Sequence, residues 1–453
     1  MAPTTLTRRR FLTQSTATAA AALATPHFGW ASTASGKPPS TDLRIASFGA
    51  NGRAWANITG MTGVDNVTLT AVAEVDASRL DKLSESLPDT TVYTDWRKLL
   101  DQESNHLDAV LVSTPDHMHA PISMAAMQLG LHVYCEKPLT RTVYESRALR
   151  KFAADNNVVT QMGNQLSSTG ANRTPIRLLQ ERAVGDILSI HSTNPKSWGR
   201  MSALPTGNDP VPDSLDWNLW LGVGQDRPFV HDEFHPRNWR KRIGFGTSTL
   251  GDMGCHIFHP WFHGLDLDAP TQVTSLGQGP VDAHSWPTDC KVQYTFAGNK
   301  ITGNKPFTAT WYDGTQSIPT DVTNAVGGAE KLPNSGSIVL GTEGALLIPH
   351  GGVARYGLFH DGIFCTEPIA REPDLNHHGV FARAIREGGD PPLSNFDKSG
   401  PLTETVLLGT IAIRLPGQTL EWDPTSLTFP NSTEATALVK DAPYRKGWEV
   451  AGL

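Results

Sequence analysis

One stretch, residues 108–139, constrains the fold more than any other, because it predicts a strand, a helix and a second strand in close succession. The apolar run Ala109–Val112 has the length and the β-branched content of a strand. Four apolar residues then fall on one face of a helix: Ile122, Ala125, Ala126 and Leu129. Gly130 follows where a helix C-cap favours a left-handed residue, and residues 131–135 predict the second strand.

The two strands of this stretch are predicted to be parallel, because a helix joins them in a right-handed crossover. Both strands then end at the same edge of one sheet, which is the edge where open α/β sheets bind ligands. Five residues follow the two strand ends and should meet in one crevice: Thr114, Pro115, Asp116, His119 and Lys137. From spacing alone, a solvated lysine in a turn is the better interpretation of Lys137.

A turn containing glycine precedes this stretch. The strand predicted at Leu43–Phe48 leads into Gly-Ala-Asn-Gly-Arg-Ala at residues 49–54. Such a turn between a strand and a helix lets backbone N–H groups approach a pyrophosphate. The match to G-x-G-x-x-G/A is imperfect, because Asn51 holds the second glycine position, but Asn tolerates left-handed backbone angles better than most residues. The cofactor-binding residues expected here are Gly49, Asn51, Gly52 and Arg53.

Two acidic residues end the next predicted strand, residues 67–75, on the order of 20 residues after the glycine turn, as in dinucleotide-binding domains. A carboxylate there binds a ribose 2′-hydroxyl and repels a 2′-phosphate, so it favours NAD over NADP. Glu74 is the first candidate and Asp76 the second; both could also be ordinary polar residues that close a strand. Together with the strand–helix–strand unit, these features predict a Rossmann domain over residues 41–165.

The N-terminal residues 1–34 resemble a twin-arginine export signal. Arg8 and Arg9 precede a weakly apolar, alanine-rich segment that is too short to span a bilayer. We therefore expect a periplasmic or secreted protein, which the twin-arginine export machinery carries in its folded form. A basic, disordered terminus is the alternative. No long apolar run follows residue 34, so no membrane span is predicted in the mature protein.

Length and composition set further limits. The 453 residues exceed one typical domain, so a second domain is expected over residues 166–453. A net charge of −7 provides no basic surface for nucleic acid. The four cysteines are too few for a disulfide framework, and their spacings match no metal-binding motif.

The second half has its own chemical cluster at residues 251–259. Asp252 and His256 are four residues apart, so they share a face if the segment is helical. A histidine can accept a proton near neutral pH, and a carboxylate can orient it or raise its pKa. The sequence between residues 193 and 246 is rich in Pro, Gly and Trp and predicts loops, most of whose tryptophans should pack while one or two face a carbohydrate.

The same cluster could also be interpreted as a metal site. Four side chains are candidates for zinc: Asp252, His256, His259 and His263. Pro260 argues against one uninterrupted helix that presents all four, since Pro removes a helix hydrogen bond. Gly251 and Gly254 predict that the helix begins late, near His256. We therefore predict no metal site, and we expect His263 to be a packing or surface residue.

Four elements together resemble the glucose–fructose oxidoreductase/inositol dehydrogenase (Gfo/Idh/MocA) family. They are the glycine turn, Glu74, the sequence Thr-Pro-Asp-His-Met-His at residues 114–119, and Cys-Glu-Lys-Pro at residues 135–138. The last element, at this distance after the third, is quite specific, and the resemblance covers nearly all of the chain after residue 34. It implies an α/β fold with an N-terminal Rossmann domain, and a C-terminal α+β domain with a large, mostly antiparallel open sheet.

The resemblance also implies roles for individual residues. Lys137 would contact both the nicotinamide region and a substrate hydroxyl, which overturns its interpretation as a solvated lysine. The catalytic acid/base His of the family corresponds to His256, and its substrate-binding Asp corresponds to Asp252. Many relatives carry Asp three residues after that His, where this chain has His259. Further residues expected at the cofactor site are Thr114, Pro115, His119 and Glu136.

These expectations amount to an NAD-dependent oxidoreductase that acts on a sugar or a sugar derivative, with NADP less favoured, and that forms a homo-oligomer. Some family members instead hydrolyse glycosides by oxidation, elimination, addition of water and reduction, so an NAD-dependent glycoside hydrolase is the alternative. A third hypothesis is a non-catalytic sugar-binding protein of the same fold. The joint presence of Lys137, Asp252 and His256 argues against it.

Overall fold

The computed structural model describes residues 42–200, 203–279 and 282–453. The predicted export signal, residues 1–34, lies outside these ranges. Two β-sheets organise the described chain. Within the same ranges, no helix is both long enough and apolar enough to cross a membrane.

The first sheet consists of six parallel strands. They are β1 (Leu43–Phe48), β2 (Val67–Ala73), β3 (Thr91–Tyr93), β4 (Ala109–Val112), β5 (His132–Cys135) and β6 (Thr160–Met162). Their order is β3-β2-β1-β4-β5-β6, which is that of a dinucleotide-binding domain. Every residue of β4 is buried, as expected where helices cover both faces of a parallel sheet. The predicted parallel pairing of β4 with β5 is confirmed.

Five helices connect these strands. They are α1 (Arg53–Thr62), α2 (Asp81–Ser86), α3 (Trp96–Glu103), α4 (His119–Gln128) and α5 (Val143–Asp155). A capping box starts α5, since Thr142 and Glu145 each bond the backbone N–H of the other. This cap ends the turn that follows β5, so α5 begins close to the carboxyl edge of the sheet.

The second sheet has nine strands. They are β7 (Ile187–Asn194), β8 (Gln272–Gln278), β9 (Cys290–Phe296), β10 (Phe307–Asp313), β11 (Gly336–Gly341), β12 (Gly344–Pro349), β13 (Arg355–His360), β14 (Ile363–Glu367) and β15 (Thr419–Glu421). Their order is β14-β13-β12-β11-β7-β10-β9-β8-β15. Neighbours are antiparallel except β7 and β10, so the predicted mostly antiparallel sheet is confirmed.

Seven helices accompany the second sheet. They are α6 (Gly170–Gln180), α7 (Trp217–Leu221), α8 (Ser248–Gly264), α9 (Thr320–Ala325), α10 (His377–Glu387), α11 (Phe396–Arg414) and α12 (Thr433–Leu438). The buried helices α8 and α11 pack together, and the fully buried Trp261 of α8 and Trp311 of β10 belong to the core between the helices and the sheet.

The helix α8 differs from the sequence prediction. It begins at Ser248 rather than near His256, and it continues through Pro260. The reason is burial, since Phe258, Trp261 and Phe262 are at most 2% exposed. Their burial outweighs the low helix propensity of glycine and the one hydrogen bond that Pro removes.

Parts of the second half pack into the first. Phe381 and Ala382 on α10 share an apolar core with β1 and β4. Helix α11 lies against α5, where both carboxylate oxygens of the buried Glu404 accept hydrogen bonds from Arg147. The boundary predicted at residue 165 therefore separates the halves in sequence more clearly than in space.

Candidate active site

The glycine turn joins β1 to α1 at the carboxyl edge of the first sheet. Gly49 and Gly52 have positive φ angles of 99° and 59°, which L side chains rarely adopt. A Cβ at Gly49 would lie 3.1 Å from the carbonyl oxygen of Ser113, so the turn approaches the end of β4 closely. Asn51 is not left-handed; its Oδ1 instead accepts the N–H of Gly52 at 2.6 Å. The turn thus places the N-terminus of α1, with the exposed Arg53, at this edge.

Glu74 directly follows β2 and lies beside this turn. Its carboxylate accepts the N–H of Ala50 at 2.9 Å and the N–H of Asp76 at 3.1 Å. Burial raises the pKa of Glu74, and these two hydrogen bonds oppose the shift. The bond to Ala50 holds the carboxylate against the glycine turn, where a ribose would follow a pyrophosphate.

Asp76 has different surroundings, because groups from both halves of the chain surround its carboxylate. Oδ1 accepts the hydroxyl of Ser214 at 2.9 Å, and Oδ2 lies 2.8 Å from Nε2 of His235. Although burial would raise it, hydrogen bonds lower the pKa of Asp76 to about 2. Asp76 therefore bonds segment 203–247 to the chain just after β2. Glu74 is the carboxylate that lies beside the glycine turn.

His119 links the ends of β4 and β5. Its Nδ1 lies 2.7 Å from the carbonyl oxygen of Pro138, and its Nε2 lies 2.9 Å from that of Thr114. Because carbonyl oxygens only accept hydrogen bonds, both ring nitrogens carry protons and the ring is an imidazolium. Burial lowers the pKa of His119, but the neighbouring Cys135 and Asp116 raise it to about 9. His119 thus holds the two strand ends in a fixed arrangement.

Glu136 is buried and connects α1 to the chain after β6. Its Oε1 accepts hydrogen bonds from Nδ2 of Asn57 at 2.9 Å and from Nε2 of Gln165 at 2.8 Å. Gly163 leaves the room for this carboxylate, since a Cβ there would lie 2.5 Å from the same oxygen. Any larger residue at position 163 would displace Glu136 from the strand end.

Lys137 and Asp252 meet across the two halves of the chain. Nζ of Lys137 lies 2.5 Å from Oδ1 of Asp252 and 2.9 Å from its carbonyl oxygen. Both side chains are nearly buried. Burial alone would raise the pKa of Asp252, but Lys137 and Arg240 hold it well below its usual range. The two residues therefore form a charged pair between the end of β5 and helix α8.

Three further side chains approach the Asp252 carboxylate. Nε1 of Trp198 donates to Oδ2 at 2.7 Å, and Nζ of Lys196 lies 3.4 Å from the same oxygen. Nε of Arg240 lies 3.7 Å from Oδ1. Together with Lys137, this arrangement surrounds one carboxylate with three cations and one indole.

His256 lies one turn after Asp252 on α8. Its Nδ1 is 2.5 Å from Oδ1 of Asn164, and Nδ2 of Asn164 donates to the carbonyl oxygen of Cys255 at 2.8 Å. Because that donation fixes the amide, Oδ1 accepts the proton on Nδ1 and leaves Nε2 as an acceptor. Burial, reinforced by Lys137, lowers the pKa of His256 well below its usual value. His256 is therefore neutral at pH 7, in one tautomer.

The other histidines divide between the crevice and the core. The ring of His350, directly after β12, lies 5.2 Å from the ring of His256. His259 instead packs against His263 at 4.5 Å, and its Nδ1 lies 3.4 Å from Nδ2 of Asn172. Across residues 42–200, 203–279 and 282–453, no group of three or more His, Cys, Asp or Glu side chains could hold a metal ion.

The crevice has features that fit a nicotinamide dinucleotide. The tight turn at Gly49 and the N-terminus of α1 suit a pyrophosphate, and Glu74 is beside them for a ribose. The hydroxyl of Thr114 is buried and has no hydrogen-bond partner in the described chain, so it is free to bond a ligand. Pro115 is partly exposed beyond the end of β4, and the nearly buried Lys137 lies beyond the end of the neighbouring strand β5.

Two domain families match the sequence. Residues 43–164 match the oxidoreductase family with an NAD-binding Rossmann fold, and residues 196–305 match the C-terminal alpha/beta domain of the same oxidoreductase family. Together they cover just over half of the chain. The chain belongs to the Gfo/Idh/MocA family. The resemblance predicted from the sequence is thereby confirmed.

Curated Gfo/Idh/MocA relatives match over shorter stretches. Levoglucosan dehydrogenase of Pseudarthrobacter phenanthrenivorans is 37% identical over 164 residues, which are 36% of this chain and 34% of that protein. The NADP(+) scyllo-inositol 2-dehydrogenase of Bacillus subtilis is 24% identical over 204 residues, or 45% of this chain and 46% of that one. A glycosyl hydrolase family 109 protein of Shewanella putrefaciens is 29% identical over 112 residues, or 23% and 24%. The chain thus spans less than half the length of each.

Solved structures share the fold over most of the chain. The aldose–aldose oxidoreductase of Caulobacter crescentus, complexed with glycerol, has a TM-score of 0.55 at 15% identity and covers 84% of this chain and 99% of its own. At this identity the likeness concerns the Gfo/Idh/MocA fold alone.

Sequence reasoning missed part of the site. Asn164 follows β6 and Lys196 follows β7, and no motif marks either residue. The rule that ligands meet at carboxyl strand ends could have indicated Asn164 once β6 was recognised. His350 follows a strand of the second sheet and had no comparable signal.

Proposed function

We propose that this protein is a nicotinamide-dependent oxidoreductase that passes a hydride between a hydroxyl-bearing carbon of a sugar and a tightly held NAD. The observation that carries this proposal is the protonation state and the tautomer of His256. Asn164 presents it as a neutral base with Nε2 free, one helical turn from Asp252 and its partner Lys137. When the carbon that bears the hydroxyl loses a hydride, the hydroxyl oxygen must lose its proton, and a neutral histidine is suited to take that proton.

The chain's own groups divide the work at the sugar hydroxyl. His256 takes the proton at Nε2, while Asn164 stabilises the imidazolium that results because its Oδ1 remains bonded to Nδ1. Lys137 places a positive charge where negative charge develops on the substrate oxygen. Asp252 orients Lys137 through the ion pair between them. A bound nicotinamide ring would supply the site for the hydride.

Cofactor binding would use the first sheet. Gly49, Gly52 and the N-terminus of α1 would hold a pyrophosphate, Glu74 a ribose, and Thr114 the part of the cofactor nearer to β4. Support for NAD over NADP is the carboxylate of Glu74, which repels a 2′-phosphate. Asp76 is engaged elsewhere and does not contribute to this choice.

Denaturation of the purified protein tests the proposal. Precipitating it with acid and separately with base should release NAD and NADH in near one-to-one amount with the chain, because acid preserves the oxidised form and base the reduced form. Incubation with a panel of sugars before denaturation should shift the ratio toward NADH. Protein that is empty, and that also binds neither added NAD nor NADP, would contradict the proposal.

A second candidate is an NAD-dependent glycoside hydrolase. The match to a glycosyl hydrolase family 109 protein favours it, and so does the position of His350 beside His256. The ketone intermediate acidifies the C–H of the adjacent carbon, which lies between the ketone and the anomeric carbon. Elimination of the aglycone therefore needs a second base to remove that proton. Burial, with Lys196 and Lys137, lowers the pKa of His350, which leaves it neutral for that role.

Aryl glycosides in D₂O distinguish the two candidates. The hydrolase would release the aglycone without added cofactor and place deuterium at the carbon next to the anomeric centre. The dehydrogenase would form stoichiometric NADH and release no aglycone. If the protein is the hydrolase, His350→Phe should abolish aglycone release. If it is the dehydrogenase, the same variant should still oxidise the sugar in a single turnover.

We also propose that residues 1–34 direct twin-arginine export to the periplasm or the exterior, and that the mature protein is a homo-oligomer. The support for export is the pair Arg8 and Arg9 before the alanine-rich segment. Arg8→Lys with Arg9→Lys should hold a fused reporter, active only when exported folded, in the cytoplasm. Normal export of that double variant would overturn the export proposal. Light scattering of the mature protein tests the oligomer.

A further inference from the structure

Arg240 is held by aromatic rings rather than by a hydrogen-bonded carboxylate. Its guanidinium lies 4.2 Å from the ring centroid of Trp239 and 5.6 Å from that of Trp198. The nearest recorded carboxylate oxygen, on Asp252, is 3.7 Å from Nε, which is too far for a hydrogen bond. The contact with the two indole rings leaves the guanidinium donors available, and an arginine held by aromatic rings can bind carboxylate or phosphate in a bidentate manner.

Lys196 approaches the same place from the end of β7. Its Nζ lies 3.4 Å from Oδ2 of Asp252 and 3.1 Å from Sδ of Met253. Half of the side chain is exposed, whereas Lys137 is only 12% exposed. Lys137 is thus the cation committed to Asp252, and Lys196 retains donors toward the open crevice.

The charges around Asp252 do not balance. Lys137, Lys196 and Arg240 are three cations around one carboxylate, which leaves two positive charges in excess. The next carboxylate, Asp116, is buried, accepts the hydroxyl of Thr247 at 2.7 Å and interacts electrostatically with the imidazolium of His119 and with Arg240 and Lys137. When Asp116 and His119 are included, four cations face two carboxylates, so the excess is still two positive charges. A partly desolvated excess of cations favours an anion from solution.

The cofactor's own phosphates have their site elsewhere. The glycine turn follows β1, whereas Lys137 follows β5, and β4 lies between these strands. Two strand spacings separate the two positions by roughly 10 Å. The excess charge therefore sits where the substrate meets Lys137 and His256 rather than at the pyrophosphate turn.

We propose that the sugar accepted by this site carries an anionic group, a carboxylate or a phosphate, which Arg240 and Lys196 bind while Lys137 and His256 act on a hydroxyl. This rests on the proposed function, and it names the class of substrate as acidic or phosphorylated sugars rather than neutral ones. Trp198 would contribute its ring face to the apolar C–H side of the sugar, since its N–H is already bonded to Asp252.

Calorimetric titration of the cofactor-loaded protein tests the proposal with matched probes. Glucose, glucuronate and glucose 6-phosphate differ only at the sixth carbon, and inorganic phosphate reports the anion alone. At least one of the two anionic sugars should bind roughly tenfold or more tightly than glucose, the scale of a charge-assisted hydrogen bond. Which of the two binds more tightly identifies the anion as carboxylate or phosphate.

Variants locate the effect. Arg240→Gln and Lys196→Gln should each reduce the preference for the anionic sugar over glucose to within a few-fold, and the preference should weaken with added salt. Arg237→Gln is the matched control, because Arg237 is exposed three residues earlier in the same loop. It should leave the preference unchanged.

Three results would overturn the proposal. They are tighter or equal binding of glucose, no binding of either anionic sugar at millimolar concentration, and a preference that survives in Arg240→Gln and Lys196→Gln together. If these occur while the protein still holds NAD and forms NADH with a neutral sugar, the oxidoreductase function stands and only the anionic substrate is wrong. If the protein holds no NAD, the proposed function itself fails.

Discussion

Nζ of Lys137 lies 2.5 Å from Oδ1 of Asp252, although the two residues are 115 positions apart in the chain. Lys137 follows a strand of the first sheet, and Asp252 lies on a helix that packs on the second sheet. Their pairing sets the distance between the proposed cofactor site and the proposed base, so catalysis should depend on the pair as a unit.

Removing either member of this pair should reduce turnover without unfolding the protein. Lys137→Met and Asp252→Asn should each lower kcat by roughly 10²-fold or more, the scale of a lost catalytic group. The double variant should be little worse than the poorer single variant, because both groups serve one transition state. Lys305→Gln, which removes the surface ion pair with Asp186, is the control and should keep normal kcat. Strictly additive losses would argue against a shared role.

Asn164 should act through the tautomer and the pKa of His256. With the pKa of His256 lowered, the wild type should oxidise its substrate at undiminished kcat/KM below pH 6.5, where an ordinary histidine would be protonated. Asn164→Asp places a carboxylate beside Nδ1, so the acidic limb of the pH profile should move to higher pH. Asn164→Leu should lower kcat by roughly tenfold or more without that upward movement. An identical pH profile in all three proteins would mean that Asn164 only supports the fold.

Glu74 should set the preference between NAD and NADP. Glu74→Ser removes the carboxylate beside the glycine turn, so affinity for NADP should rise relative to NAD by roughly tenfold, measured by competition for the emptied protein. Asp76→Asn should leave the preference unchanged and instead loosen segment 203–247, visible as faster proteolysis. The reverse pattern would assign the ribose to Asp76.

Buried histidines should make the protein sensitive to acid. His117 is fully buried beside Trp220 and Phe245, and burial lowers its pKa to about 3. Between pH 6.5 and pH 3 the unfolded chain therefore binds a proton that the folded chain does not. Stability is complete above pH 6.5 and falls below it, by up to about 1.4 kcal/mol per pH unit for this residue.

His117→Phe should reduce that dependence of the free energy of unfolding on pH. Comparison with the variant is necessary because Asp313, whose pKa burial raises to about 7, has the opposite effect over part of the same range. Urea unfolding of both proteins at pH 7 and pH 5 should show a smaller loss for the variant. Equal losses would mean that His117 is already protonated in the folded state.

The sequence predicted the first sheet better than the site. Apolar runs such as Ala109–Val112 and the turn at Gly49 obey local rules, so the parallel strands and their common edge could be derived. The motif around Lys137 also lies at the end of a strand, β5, so its position at this edge could be predicted as well. Asn164 follows β6, a strand of only three residues that was not recognised in the sequence. Lys196 and His350 reach the crevice because of how the second half packs, which no local pattern records. The start of α8 was predicted wrongly for the same reason, since the burial of Trp261 outweighs Gly and Pro.

The contact of Asp76 with Ser214 and His235 has a kinetic consequence. It holds a segment of the second half against the first sheet beside Glu74. We expect a dinucleotide to leave the ribose position only after this contact opens. Oxidised and reduced forms would then interconvert on the protein without exchange with a free pool. The substrate that reduces the bound cofactor and the substrate that reoxidises it would then bind in turn at the same crevice. Steady-state rates measured with both substrates should follow a ping-pong pattern, with parallel double-reciprocal lines.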